Sequence, residues 1–294
     1  MDALTLREVW SSTAEALSSR HEARWLCEVA TSLDGDDFDA ALDEPVSERM
    51  VAHLRSMLAR YRSGEPIQYV LGRWAFRHLD LAVDPRVLIP RPETELVAGV
   101  AIELARNVPS PRSVADLGTG SGAIGLSMAT ELPLDGTTIW ITDASADALD
   151  VARANLAGIG RSARNVIAVQ GEWFDPLPMD RRFDVIVSNP PYVADESGEL
   201  AQSVREWEPA GALFSGGDGL DDLRRIIADA PEHLVDGGWL VLEIGADQGD
   251  AVRSLMRRAG LVDIEIRHDL AGHDRIALAR SAGRIVAVPN RPDR

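Results

Sequence analysis

The sequence predicts an α/β protein in which a doubly wound, seven-stranded sheet follows a small all-helical N-terminal domain. From about residue 111, short apolar runs alternate with stretches of helical periodicity, as in a sheet covered by helices on both faces. A glycine-rich turn directly follows the first run, whereas the first 72 residues show helical spacing alone. Strands are predicted at 114–117, 138–142, 166–169, 184–188, 239–243, 262–266 and 275–279.

Residues 1–72 carry three apolar stripes at helical spacing, which predicts a helical domain. The third stripe runs from Val51 to Tyr61 and is entered through Pro45 and a capping Ser47. This part of the sequence shows no catalytic constellation. Two roles stay open for the domain, namely substrate binding and simple packing.

Apolar and polar residues alternate over 74–88, and this pattern predicts a hairpin in a linker of residues 73–90. A helix then extends to Arg106, and Pro92 suits its first turn. The segment before it is either a loop over a cofactor or an ordinary helix start. Residues 91–283 would form the α/β domain and 284–294 a tail. Because the link before 275–279 is too short for a crossover helix, we expect that strand to be antiparallel.

A glycine-rich turn joins the first large-sheet strand to a helix, and it consists of Gly118, Thr119, Gly120, Ser121 and Gly122. Glycines allow a tight turn and a close approach of a ligand to the helix N-terminus. The pattern fits both a nicotinamide dinucleotide and S-adenosylmethionine.

The strand that follows the glycine-rich helix ends at Asp143. A carboxylate at this place can accept hydrogen bonds from both hydroxyls of an adenosine ribose. Asp143 could instead cap the next helix, and both roles are compatible if Ser145 is the cap.

The fourth strand of the sheet runs into Asn189, Pro190, Pro191 and Tyr192. The Asn189 side chain offers a carbonyl acceptor, Pro190 presents a carbonyl with no N–H beside it, and Tyr192 offers a ring. Together they can hold a planar NH2 group and aim its nitrogen, as N-methylation requires. The alternative is a rigid turn, since Asn and Pro are ordinary turn residues. This corner favours S-adenosylmethionine over a nicotinamide cofactor, because hydride transfer has no use for an amine-holding site.

Two further loops follow strands, namely the segment 170–174 and the connection that contains 206–209 and 216–220. Trp173 would lie where an adenine binds, or else in the core. The segments 206–209 and 216–220 either wall an acceptor site or form a long connection. Because Gly118, Asp143, Trp173 and Asn189 all follow strands, we expect them at one rim of the sheet.

The formal net charge of the 294-residue chain is −17, and every basic residue is Arg. The absence of lysine excludes Schiff-base chemistry and a Walker lysine. Without a long basic stripe, so acidic a chain suits a basic protein partner and no nucleic acid. No apolar run approaches a membrane span and no signal peptide pattern is present, so we expect a cytoplasmic protein with no membrane association. We also expect the protein to be a monomer. The lone Cys27 excludes an internal disulfide, and the histidines lack metal-ligand spacing, so no metal is expected.

These motifs together resemble the peptide chain release factor glutamine methyltransferases over nearly the whole chain. The pairing of Pro-Arg-Pro-Glu-Thr-Glu with Asn-Pro-Pro-Tyr is the most specific feature. Two positions depart from the family's pattern: Trp207, where tyrosine is frequent, and Arg77–Asp80, which lacks a glycine. The resemblance rests on Gly64–Gly72, Leu88–Glu95, Asp116–Gly122, Ser188–Tyr192, Glu208–Pro209, Gly217–Leu220, Leu242–Gly245 and Gln248.

The resemblance implies a class I methyltransferase sheet and a helical domain that grips the protein substrate. It implies methylation, by S-adenosylmethionine, of the glutamine side-chain amide in the Gly-Gly-Gln motif of class 1 release factors. Gly118–Gly122, Asp143, Trp173 and Asn189 would contact the donor. Residues Asn189–Tyr192 would hold the glutamine, with Asn189, Pro190 and Tyr192 acting in catalysis. The alternatives are an adenine-N6 methyltransferase on DNA or RNA, a cofactor-dependent binding protein without turnover, and a nicotinamide enzyme.

Overall fold

The computed structural model describes residues 4–198 and 200–283. Its N-terminal part is helical, as predicted, and the longer helices begin at side-chain caps supplied by Thr5, Ser19 and Ser47. Two short helices had no counterpart among the predicted stripes, because five or six residues are too few to show a helical period. The five helices are α1 (Leu6–Leu17), α2 (Arg20–Thr31), α3 (Gly35–Ala40), α4 (Glu48–Arg62) and α5 (Ile67–Leu71).

These five helices share a core of their own. Leu26, Cys27 and Phe38 are fully buried at its centre. Burial raises the pKa of the Cys27 thiol to about 12, so the group stays a neutral, small apolar side chain.

The predicted hairpin is present but ends sooner than the alternating pattern implied. β1 (Arg73–Phe76) pairs antiparallel with β2 (Leu79–Ala82). Asp84 then accepts a hydrogen bond from the backbone N–H of Arg86, and Pro85 has no N–H to continue the ladder. The apolar residues that follow are buried against α5 and α8 (Ala146–Gly158) rather than paired in a strand.

The turn of this hairpin contains Arg77, the first residue of the segment that lacks a glycine. Arg77 occupies the left-handed region with φ of +52°, a conformation that glycine adopts more readily. Its guanidinium donates two hydrogen bonds to Glu131, at 2.6 and 2.9 Å, and its backbone N–H donates to Glu95. These contacts anchor the hairpin to α6 (Pro92–Arg106) and α7 (Ala123–Glu131).

The large sheet has seven strands, β3 (Arg112–Leu117), β4 (Thr137–Asp143), β5 (Val166–Gln170), β6 (Phe183–Ser188), β7 (Leu234–Glu243), β8 (Leu261–His268) and β9 (Asp274–Ser281). Their order across the sheet is β5-β4-β3-β6-β7-β9-β8. All seven predicted strands are confirmed, and β9 is antiparallel to both neighbours, as the short link before it predicted.

Helices cover both faces of this sheet. α6, α7 and α8 bury one face, while α10 (Asp221–His233) and α11 (Gly249–Arg258) bury the other. The short α9 (Gln202–Trp207) lies in the connection after β6. From β3 the chain proceeds to β4 on one side, whereas β6 adds on the other, so a crevice is expected at the carboxyl ends of β3 and β6.

Within the described residues, no helix is both long and apolar enough to cross a membrane. The predicted tail, 284–294, lies outside those residues. The boundaries 1–72, 73–90 and 91–283 stay predictions.

Candidate active site

A cavity of about 450 Å³ opens at the carboxyl ends of β3, β4 and β6. β3 and β6 pair in parallel, with Leu117 opposite Ser188, so the glycine-rich turn and the Asn-Pro-Pro-Tyr corner start side by side. Of the predicted site residues, Gly118, Asp143, Trp173 and Asn189 all line the cavity. The prediction that these strand-end residues meet at one rim is thereby confirmed.

Asp143 binds the backbone of the glycine-rich turn. Its Oδ2 accepts a 2.9 Å hydrogen bond from the N–H of Gly120, and its Oδ1 accepts one of 2.9 Å from the N–H of Ser145. Ser145 itself caps α8, since its hydroxyl accepts from the N–H of Ala148. Asp143 is therefore not the cap and is left facing the cavity, where burial raises its pKa against the opposing effect of the two N–H donors.

The other residues of the turn lie either on the cavity wall or at the start of α7. Thr119 and Ser121 line the cavity with Gly118 and Gly120. Gly122 is the N-cap of α7, with φ of +89°, and is not among the lining residues. The turn therefore presents its backbone, which has little side-chain bulk, to whatever occupies the cavity.

Trp173 lies between the cavity and the core, and its contact with an adenine stays a prediction. It lines the cavity and also packs against the core cluster on the α10 face. A Cβ added to Gly118 would lie 3.0 Å from the Trp173 ring. The ring can pack this closely because residue 118 has no side chain. The Trp173 backbone carbonyl accepts a hydrogen bond from the Thr142 hydroxyl, which fixes the residue despite its φ of +47°.

The Asn-Pro-Pro-Tyr corner does not present all four residues to the cavity. Asn189 and Pro191 line it, whereas Pro190 is buried. The Tyr192 ring packs against the core, and its hydroxyl donates to Glu243 at 3.2 Å. Tyr192 is not among the lining residues, so its stacking on a substrate stays a prediction.

Two residues without a predicted role join this corner. The Asn189 amide donates at 3.2 Å to the Thr94 hydroxyl, which donates at 2.7 Å to Glu243. Thr94 also lines the cavity. The signal for Glu243 was the one that identified Asp143, an acid at the end of an apolar strand. Thr94 stands in the Pro-Arg-Pro-Glu-Thr-Glu motif that carried the resemblance, but that motif assigned it no role.

A third acid, Glu208, ties the segment before α6 to the connection after β6. It is 6% exposed and pairs with Arg91 at 2.5 Å, and it also accepts from the N–H of Ile89 at 3.1 Å. Pro90 and Pro209, beside these partners, line the cavity. The segment before α6 and the segment 206–209 therefore both border the cavity, and the Arg91–Glu208 ion pair joins them. None of residues 216–220 is among the lining residues, so their role as a wall stays a prediction.

Asp116 is buried beneath the glycine-rich turn and also lines the cavity. Its Oδ2 accepts from the Thr119 hydroxyl at 2.5 Å and from the N–H of Gly125 at 2.8 Å. Its Oδ1 has no hydrogen-bond partner within the described residues. Burial raises the pKa of Asp116 to about 7, although both hydrogen bonds oppose the shift. A cationic group in the cavity would stabilise the ionised form.

Known proteins resemble this chain in sequence. Two family models match, the PrmC N-terminal domain over residues 6–72 and the Methyltransferase small domain over residues 100–218. A release factor glutamine methyltransferase from Xylella fastidiosa is 44% identical, covering 82% of this chain and 86% of that protein. One from Bordetella pertussis is 43% identical, covering 88% of this chain and 93% of that protein.

The fold also has solved counterparts. A methyltransferase from Pyrococcus furiosus superposes with a TM-score of 0.52 at 20% identity, covering 78% of this chain and 99% of its own. This likeness concerns the fold alone. The identity and coverage of the sequence relatives show that this chain belongs to the release factor glutamine methyltransferase family.

Proposed function

We propose that this protein transfers a methyl group from S-adenosylmethionine to the side-chain amide nitrogen of a glutamine. The substrate is the Gly-Gly-Gln motif of a class 1 peptide chain release factor, the protein that the relatives' name points to. The observation that carries the proposal is one cavity bordered by both the glycine-rich turn and the Asn-Pro-Pro corner. A donor and an amide acceptor can thus meet at the paired ends of β3 and β6.

The residues of the cavity fit S-adenosylmethionine. Asp143 would accept hydrogen bonds from the ribose hydroxyls, and Trp173 would pack against the adenine. The turn from Gly118 to Ser121 would lie against the ligand, with Gly122 behind it. Asp116, whose Oδ1 has no described partner, suits the positive charge of the donor's amino group. When bound, the donor supplies a methyl group activated by a sulfonium.

The corner would hold the acceptor. An amide nitrogen is a weak nucleophile because its lone pair is delocalised. Asn189 Oδ1 and the Pro190 carbonyl would accept its two hydrogens, stop rotation and aim the nitrogen. Positive charge develops on that nitrogen during transfer, so both acceptors bind the transition state more tightly than the ground state. Tyr192 and Pro191 would border the amide and exclude water, and the displaced proton leaves to solvent.

An adenine-N6 methyltransferase acting on DNA or RNA is the alternative that such a corner also allows. A net charge of −17 opposes the approach of a polyphosphate. The same charge favours a basic protein partner. We propose that the protein acts as a cytoplasmic monomer on release factors, without a nucleic-acid partner.

The test is incubation of the purified protein with a release factor and S-adenosylmethionine, followed by mass spectrometry of the Gly-Gly-Gln peptide. A gain of one methyl group on the glutamine supports the proposal. A release factor with asparagine in place of that glutamine is the matched control and should gain none. Methylation of an adenine-containing oligonucleotide with an unmodified release factor would overturn the proposal in favour of the alternative.

A further inference from the structure

We propose that Thr94 and Glu243 are positioning residues that fix the polarity of the Asn189 side-chain amide. As a result, the NH2 group of Asn189 faces the protein and the Asn189 Oδ1 faces the substrate amide. The inference rests on the proposed function, because Oδ1 matters only if an NH2 group is to be held. It concerns three residues that come from α6, from the end of β7 and from the corner after β6.

The geometry is a single chain of hydrogen bonds. Asn189 Nδ2 donates to Thr94 Oγ1 at 3.2 Å, and Thr94 Oγ1 donates to Glu243 Oε2 at 2.7 Å. Thr94 is 4% exposed and Glu243 is 1% exposed, so water does not compete for these bonds. The other carboxylate oxygen, Oε1, accepts from the Tyr192 hydroxyl at 3.2 Å.

The direction of this chain follows from the number of hydrogens available. An ionised carboxylate only accepts hydrogen bonds, so Thr94 must direct its one hydroxyl hydrogen to Glu243. The Thr94 oxygen can then only accept, and the group that donates to it must be the NH2 of Asn189. The amide consequently keeps its oxygen away from Thr94, toward the cavity that Asn189 lines.

The reversed amide would be unproductive. If Asn189 turned its oxygen toward Thr94, its NH2 would face the NH2 of the substrate glutamine. Two hydrogen-bond donors would then face each other, and the substrate amide would be neither held nor aimed. Because asparagine is nearly symmetric in shape, packing alone does not choose between the two orientations, whereas a hydrogen-bond partner of fixed character does.

Stability does not account for Glu243. It forms no salt bridge among the described residues, although Arg275 lies 3.5 Å from the Tyr192 hydroxyl. A buried carboxylate without an ion pair is costly to keep. Both of its hydrogen-bond donors, Thr94 and Tyr192, lead to the corner that holds the acceptor.

The proton on Glu243 provides one readout. Burial is the main cause that raises the pKa of Glu243 to about 7, and the nearby Glu93 adds to it. The hydrogen bonds from Thr94 and Tyr192 and the charge of Arg275 oppose the shift. A protonated Glu243 can donate to Thr94, which frees the Thr94 hydrogen for Asn189 Oδ1. We therefore expect methylation to slow as the pH falls through about 7.

The central experiment compares Thr94→Val with Thr94→Ser in the full-length protein. Single-turnover methylation of a purified release factor at saturating donor should fall about 10- to 100-fold in Thr94→Val, by the cost of misplacing an acceptor. Thr94→Ser keeps the hydroxyl and should stay within about threefold of wild type. Affinity for S-adenosylhomocysteine, measured by calorimetry, should be unchanged in both. Equal rates for the valine and serine variants would overturn the proposal, and so would an equal loss of rate and donor affinity in the valine variant.

Glu243→Gln carries the same test if Thr94→Val does not fold, because it preserves size and shape. Glutamine can donate to Thr94 as well as accept, so the amide polarity is no longer enforced. At saturating donor, whose amino group would keep Asp116 ionised, the rate should fall at pH 8, and its dependence on pH near 7 should disappear. Adding Thr94→Val to Asn189→Ala should cost no more than Asn189→Ala alone, since residues that act as one unit are not additive. A retained pH dependence, or additive losses, would contradict the inference.

A readout without turnover separates this inference from the proposed function. The chain contains five asparagines, so selective ¹⁵N labelling of asparagine gives few side-chain NH2 signals, and Asn189→Ala assigns the relevant one. Thr94→Val and Glu243→Gln should shift that signal and speed its hydrogen exchange, whereas Thr94→Ser should not. If wild type failed to methylate a release factor, these shifts would still support the fixed amide. An unmoved Asn189 signal would overturn it even in an active enzyme.

Discussion

The helical module, α1 to α5 with the segments joining them, and the rim of the sheet around the cavity differ in what they bury. Within 4–72, the buried polar side chains are those of Thr13 and Glu65. Around the cavity the buried polar set is larger, and it comprises Thr94, Asp116, Thr119, Ser121, Glu208 and Glu243. Burying polar groups costs free energy unless each is bonded. At the rim, where ligands are expected to bind, the buried polar groups carry this cost. The helical module has few such groups and is stabilised mainly by apolar packing.

One Arg–Glu pair in each region shows the difference directly. Arg60 and Glu65 pair within five residues of each other, and Arg60 also donates at 2.9 Å to the carbonyl of Tyr69. This pair closes a local turn between α4 and α5. Arg91 and Glu208 are 117 residues apart and join two segments that border the cavity. The same chemistry therefore supports local folding in one region and the shape of a site in the other.

The largest effect should come from the rim. We expect Asn189→Ala to lower methylation of a release factor by roughly 10²-fold or more, since the acceptor nitrogen is no longer aimed. Circular dichroism should show an intact fold. Near-normal turnover by a folded variant would remove Asn189 from the centre of the mechanism and weaken the contrast between the two regions.

Asp143→Ala should weaken S-adenosylhomocysteine binding by about 1.5–3 kcal/mol, or about 10- to 150-fold, because a charged hydrogen-bond acceptor is lost. Part of this loss comes from the turn, since Asp143 also holds the N–H of Gly120. Calorimetry measures the affinity, and Asp147→Ala, at an exposed acid two residues after the cap of the same helix, is the control. Unchanged affinity would leave Asp143 a structural role only.

Glu208→Gln and Glu65→Gln test the two Arg–Glu pairs against each other. Both should lower the free energy of unfolding by about 1–3 kcal/mol, since each weakens a charged hydrogen bond to a buried acid. Only Glu208→Gln should also slow methylation, by about tenfold, through a displaced cavity wall. Denaturant unfolding and single-turnover rates, measured on both variants, decide this. A loss of rate in Glu65→Gln equal to that in Glu208→Gln would mean that the helical module shapes the site as strongly as the rim does.

The smallest effect tests the link between the regions. The Tyr69 hydroxyl in α5 donates at 2.6 Å to the carbonyl of Val87, which lines the cavity. Tyr69→Phe should cost about 1 kcal/mol of stability and weaken donor affinity by about two- to threefold. Tyr61→Phe is the matched control, because the Tyr61 hydroxyl bonds Glu22 inside the helical module. Identical donor affinities in both variants would show that the module does not influence the cavity through this bond.

Much of the rim was predictable because its signals are local. An apolar run followed by Gly118 or Asn189 marks a strand end, and strand ends of a parallel sheet meet at one edge. The hairpin was predicted too long because burial of Val83, Val87 and Ile89 against α5 and α8 produces the same apolar spacing as a strand. The division of the corner, with Asn189 on the cavity wall and Tyr192 against the core, was not predictable from the tetrapeptide.

By itself, the sequence determined the order of strands and helices, the antiparallel last strand and the chemistry of the glycine-rich turn and the corner. These follow from periodicity, turn residues and link lengths, which are properties of neighbouring residues. Only the tertiary structure brought Thr94 and Glu243, which are 149 residues apart, into one chain of hydrogen bonds with Asn189. Such contacts leave no periodic trace, and the pKa of Glu243 rises because the whole fold removes water from it. The residues proposed to orient the Asn189 amide are therefore brought together by long-range packing, whereas Asn189 itself is identified by the local sequence.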